Sequence, residues 1–130
     1  MALDLADRLA IEDLVNLYCH NADYNPPESM RDVFTPEAVW EVPAMDLRCD
    51  GIDAIVAFFT QSRAGFGSAR HVISNLLVQG DGDHATACCY LQVVKVDEDP
   101  KQIVSFGRYQ DTLVRTAAGW RFTHRLVLIG

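Results

Sequence analysis

His71 heads HVISN (71–75), an apolar run that follows a polar loop. An unperturbed imidazole titrates near pH 6.5, at about the point where a side chain can take and return protons in neutral solution. A histidine at the mouth of a strand is therefore a candidate general base. The alternative is a core or loop-edge histidine satisfied by a backbone group. Tyr18 offers a similar choice. Its ring can simply pack, or its O–H can hydrogen-bond a substrate carbonyl and stabilise developing enolate charge. His20, Asp23 and His71 together have the make-up of a two-histidine, one-carboxylate metal site. His84 follows a GDGD turn, where exposure is expected, and His124 lies in the last apolar run with a structural role expected.

The elements that carry these residues narrow the choices. Ile11, Leu14, Val15, Tyr18 and Ala22 recur at i, i+3, i+4, i+7 and i+11, one face of an amphipathic helix. The helix starts near residues 3–7 and must stop before Pro26-Pro27. At about 100° per residue, Asp23 falls on the flank of the apolar stripe and His20 on the far side. Asp23 can lean inward, or it is a solvated helix end. His20 is expected in solvent, which sets the metal site aside.

Residues 28–34 read as a short second helix and 38–42 as a short strand. Asp50-Gly51 is a turn or cap before a third helix beginning at Ile52. From residue 68 the texture becomes β-like. Four long runs are separated by GDGD, DEDPKQ and TAAG, which predicts an antiparallel meander. Helices first and a long curling sheet afterwards make an α+β domain spanning 1–130, with helices over the concave face and a pocket between. Trp40, Phe58, Phe59, Tyr90, Phe106 and Tyr109 are expected in the core or the cavity wall.

Composition bounds the function. The 130 residues carry a net charge of −7 with scattered basic residues, which argues against nucleic acid and anionic membranes as partners. No apolar stretch is long enough to span a bilayer, and the N-terminus is no signal peptide. A cytoplasmic protein is the expectation. Cys19, Cys49, Cys88 and Cys89 show no metal-binding spacing and read as reduced, mostly buried thiols. With no glycine-rich nucleotide loop or ligand cluster, chemistry without a cofactor or metal is expected.

The ordered segments AIEDLVNLYCHNADYN, VFTPEAVWEV, GIDAIVAFF, RHVISN and FGRYQDTLVRTAAGWRFTHR resemble the SnoaL-like branch of the NTF2-like superfamily. Relatives include scytalone dehydratase, bile acid 7-alpha-dehydratase and the lindane dehydrochlorinase. The resemblance implies a cone: a curved mixed sheet around helices, with an apolar cavity. It also implies that Asp23 and His71 form a catalytic dyad, with Tyr18 aimed into the cavity. The strand that carries a second cavity histidine in scytalone dehydratase reads CCYLQ here (88–92), so Cys89 or Tyr90 lies nearby instead. Arg125 matches a recurrent arginine that is either a cavity donor or the partner of an acid such as Asp111.

The expected activity is that of a cofactor-independent lyase, dehydratase-like, acting on a small hydrophobic, cyclic molecule. His71 is its base, Asp23 the base's partner and Tyr18 the oxygen-polarising group. Trp40, Phe59, Cys89, Tyr90, Phe106 and Arg125 are the candidate substrate contacts. The alternatives are an isomerase or cyclase in the same pocket, a non-catalytic binding module, or a dioxygenase beta-like structural subunit. A homodimer or homotrimer is expected, because the exposed face of the sheet in this family usually packs on a second copy.

Overall fold

The computed structural model describes residues 2–66 and 68–130. Asp4 caps the first helix, α1 (Leu5–Asp23), by accepting the Asp7 main-chain N–H at 2.8 Å. That satisfies one donor a helix start leaves free. The expected stripe faces inward: Ile11, Leu14, Val15 and Tyr18 are buried.

Residues 28–34 do not form an α-helix. A 3-10 turn covers Pro27–Asp32, closed by the Val33 N–H on the Met30 carbonyl. Pro26 and Pro27 supply no N–H groups, and the next strand begins at once, so no second α-turn fits. That strand, β1 (Phe34–Val42), is longer than expected because Phe34 already pairs with Phe122. Strand β2 (Leu47–Asp50) was not expected at all. A second 3-10 turn and a left-handed Asp46 (φ 51°) fold LRCD back onto β1. Four residues, two of them charged, are too short a run to give a strand signal. The helix α2 (Ile52–Phe66) follows.

Strands β3 (Ala69–Asp81), β4 (His84–Lys95), β5 (Gln102–Thr116) and β6 (Gly119–Ile129) form the predicted antiparallel meander. The sheet order is β2-β1-β6-β5-β4-β3, with β1 and β6 parallel. It is an α+β fold with a curved, unclosed, mixed sheet. The helix α1 packs on β3 and β6, and α2 on β1 and β2. The strand faces alternate: Ala85, Ala87, Cys89 and Leu91 are buried, while Thr86 and Tyr90 are exposed.

Bulges reset this alternation where it matters. Thr112 pairs with His124 but Leu113 with Phe122, which makes Thr123 an extra residue. Phe122 and Arg125 therefore both point inward, each 0% exposed. In β3 the register shifts between Ser74 and Leu77, with Asn75 at φ 59°. The free edge of β3 is covered in part from the N-terminal segment. Ala2 bridges to Asp81, and Arg8 Nη1 donates to the Val78 carbonyl at 2.9 Å. Among the described residues no helix is long and apolar enough to cross a membrane.

Candidate functional site

The end of α1 and the start of β3 meet at one pair. Asp23 is the last helical residue, and His71 the third residue of the edge strand. His71 Nδ1 lies 2.6 Å from Asp23 Oδ1. The His71 main-chain N–H also donates to the same carboxylate, at 2.9 Å to Oδ2 and 3.2 Å to Oδ1. The Asp23 side chain is 6% exposed and that of His71 21%, so the carboxylate is enclosed while the imidazole keeps an open edge. A carboxylate only accepts, so Nδ1 carries the ring proton and donates it to Oδ1. In the neutral ring Nε2 then keeps its lone pair, the form a base requires.

Tyr18 stands beside this pair at the centre of an aromatic cluster. Its ring meets His71 edge-on with centroids 6.4 Å apart, and Phe34, Phe59, Tyr109 and Phe122 at 5.6–6.2 Å. It is 0% exposed, and its Oη accepts the Trp40 indole N–H at 3.0 Å. Burial pushes the phenol up to about 12, against the pull of the Arg125 charge. The phenol stays protonated at neutral pH and acts only through hydrogen bonds.

Arg125 forms a two-pronged ion pair with Asp111, Nε and Nη2 each 2.7 Å from a carboxylate oxygen, and both side chains are wholly buried. Its Cζ lies 3.8 Å from the Tyr109 ring centroid, 4.2 Å from that of Tyr18 and 4.3 Å from that of Phe122. Burial disfavours the charge, but the Asp111 carboxylate more than offsets it and holds the guanidinium protonated. Of the two roles open to Arg125, the structure shows the pairing with Asp111. Asp111 and Arg125 are cross-strand partners, so the bulge that turns Arg125 inward also sets it opposite its acid.

The other candidates divide by strand face. Trp40 and Phe59 are buried against each other, centroids 5.4 Å apart, next to Tyr18. Cys89 points inward and is buried; burial raises its thiol to about 11 and that of Cys19 to about 12. Thiols held this high are protonated and poor nucleophiles. Tyr90 and Phe106, expected in the core or the cavity wall, are in neither. They lie on the outward face, 48% and 46% exposed, with centroids 6.3 Å apart. Tyr90 follows inward Cys89, and Phe106 precedes inward Gly107, so the two-residue period turns both away from His71. Gly107 itself leaves no room for a Cβ against the Leu128 carbonyl. Tyr109, expected in the core or the cavity wall, is the inward aromatic of β5 and is 1% exposed.

His20 and His84 are exposed. His124 Nε2 lies 2.6 Å from Glu41 Oε2 on the outward face. Around Tyr18 aromatic rings pack edge-on from α2, β1, β5 and β6. Grooves of about 310 and 390 Å³ open on the outward side, both lined by Leu77, Cys88 and Gln110. Among the described residues no cluster of histidine, cysteine or acidic side chains is arranged to hold a metal ion.

Comparison with known proteins adds a family. The SnoaL-like domain model matches residues 3–126. An uncharacterized protein of Mycobacterium tuberculosis H37Rv is 31% identical over 130 residues, 95% of this chain and 85% of its own. Two solved structures come from Novosphingobium aromaticivorans. One, a candidate aromatic ring hydroxylase, is 30% identical, with TM-score 0.82 over 98% of this chain and 91% of that one. The other, a candidate scytalone dehydratase, is 23% identical, with TM-score 0.83 over 97% and 85%; at that identity the likeness is one of fold.

Proposed function

The chain belongs to the SnoaL-like family of the NTF2-like superfamily, and on that premise we propose that it is a cofactor-independent lyase of the dehydratase kind. The observation that carries the reading is the 2.6 Å contact of His71 Nδ1 with an Asp23 carboxylate that is almost fully enclosed. His71 Nε2 takes a proton from carbon adjacent to a carbonyl and beta to a hydroxyl. The C–H electron pair becomes the new C=C bond, the C–O bond breaks, and the departing hydroxide takes the proton back from Nε2 as water. Asp23 fixes the tautomer and stabilises the transient imidazolium. The fold neighbour described as a scytalone dehydratase candidate supports this reaction class. The substrate is a small hydrophobic, cyclic molecule, matched to the aromatic neighbourhood of His71.

Tyr18 serves this site as a wall. Its oxygen is enclosed and already accepts the Trp40 N–H.

One observation favours a second reading, a structural anchor without turnover. Asp23 also accepts the main-chain N–H of His71, so the pair would fasten α1 to the sheet edge even with an idle imidazole. Purified protein should be screened against cyclic hydroxy-ketones and polyketide-like compounds for water loss. His71→Ala and Asp23→Asn should each lower turnover by about 10²–10⁴-fold with the fold intact. A chain with no turnover on any of them, in which both substitutions change only stability, is an anchor.

A further inference from the structure

Asp23 has to be held at a place where helices are ordinarily loose. The last carbonyls of a helix have no partner within it, and the final turn frays. In α1 the shortage is worse than usual. Continued helical bonding would satisfy the Ala22 and Asp23 carbonyls from the N–H groups of residues 26 and 27, and both are prolines. The nearest N–H groups do not help, because those of Tyr24 and Asn25 both go to the His20 carbonyl, at 2.8 and 3.2 Å.

Arg63, on α2, brings donors to this helix end, the Ala22 carbonyl included. Its Nη2 donates to the carbonyls of Asn21 at 2.7 Å and Ala22 at 2.8 Å, and its Nη1 to that of Asn25. The guanidinium thus grips the main chain on both sides of Asp23. A positive charge at a helix C-terminus is also electrostatically favourable. The grip is braced by the Asn25 side chain donating to Asn21 Oδ1 at 2.8 Å and by Asn21 Nδ2 donating to the Ser29 carbonyl at 3.0 Å. The planar guanidinium fork reaches these carbonyls from two nitrogens in a fixed geometry, whereas a lysine ammonium offers its donors from a single atom.

We propose that Arg63 is a positioning residue for the Asp23–His71 pair, holding the last turn of α1 so that the carboxylate meets Nδ1. The inference rests on reading that pair as a working dyad. A displacement of about 1 Å at such a contact can cost about 10²-fold in rate, so a fixed helix end matters more here than for an ordinary cap.

The test reads the ring of His71 directly and needs no substrate. In protein with 15N-labelled histidine, at a pH where the ring is neutral, NMR distinguishes Nδ1–H from Nε2–H. Wild type should show His71 with its proton on Nδ1. Arg63→Met should return His71 largely to the Nε2–H form that free imidazole side chains prefer. Arg115→Met, which removes the donor to Asp7 at the opposite end of α1, should lower the melting temperature and leave the His71 tautomer untouched. A His71 that stays Nδ1–H in Arg63→Met overturns the proposal and makes Arg63 a plain helix cap. If Arg63→Met does not fold, Arg63→Lys keeps the charge without the fork and should move the tautomer the same way; an unchanged spectrum there overturns the proposal equally. A wild-type His71 already in the Nε2–H form sinks the dyad itself, a failure visible before any substitution is made.

Discussion

At the scale of single residues, the neighbours of a group decide what it can do. His71 and His124 each sit 2.6 Å from a carboxylate, yet their settings differ. The Asp23 carboxylate is enclosed at 6% exposure, whereas His124 and Glu41 lie on the outward face with side chains 37% and 19% exposed. The enclosed pair is less screened by water and better fixed. Tyr18 was legible as a stripe residue but not as a hydrogen-bond acceptor, because Trp40 is 22 positions away. Tyr18→Phe keeps the ring cluster and strands the Trp40 N–H. Leaving a buried donor unpaired should destabilise the protein by about 1–3 kcal/mol, read as a lower urea midpoint. With Tyr18 as a wall, turnover of the folded variant should stay within about tenfold of wild type; a loss near 10³-fold would make its O–H a direct participant.

At the scale of elements, α1 is pinned at both ends. At its start, Arg115 on β5 donates to Asp7 Oδ1 at 2.7 Å and to Asp83 Oδ1 at 2.9 Å, and the Trp120 indole N–H reaches Asp7 at 3.2 Å. The hydrogen bond from Arg115 is the main reason the Asp7 carboxyl is lowered from 3.8 to about 2. A carboxyl depressed on folding contributes stability above its unfolded value, lost as pH falls through the folded one. Asp7→Asn should therefore melt below wild type at pH 6, and the gap should close as pH falls from about 4 to about 2. A gap that stays constant over that window would show that the clasp acts by shape rather than charge. None of these partners is near in sequence to Asp7, so the apolar period that announced α1 could not announce its fastening.

At the scale of the whole molecule, the outward sheet face carries Val72, Leu77, Tyr90 and Phe106, each at least 46% exposed. Exposed apolar groups gathered on one face are a place for a second protein surface. We expect a homodimer or homotrimer through this face. Sedimentation velocity should give a species larger than one 14.5 kDa chain, reduced to monomer by Tyr90→Asp with Phe106→Asp; a monomeric wild type would remove the expectation. The same face shows where sequence reading stopped. The sequence by itself determined α1 and its stripe, the four long strands, their meander and the α+β class, because each follows from local periodicity or turn chemistry. The family resemblance added the pairing of Asp23 with His71. The tertiary structure alone decided that a separation of 48 positions closes to a 2.6 Å contact. It alone inserted the bulge that turns Arg125 in toward Asp111, sent Tyr90 and Phe106 outward, added β2 and placed Arg63 under the end of α1. Those outcomes depend on register and on long-range donors and acceptors, which a period in the chain does not encode.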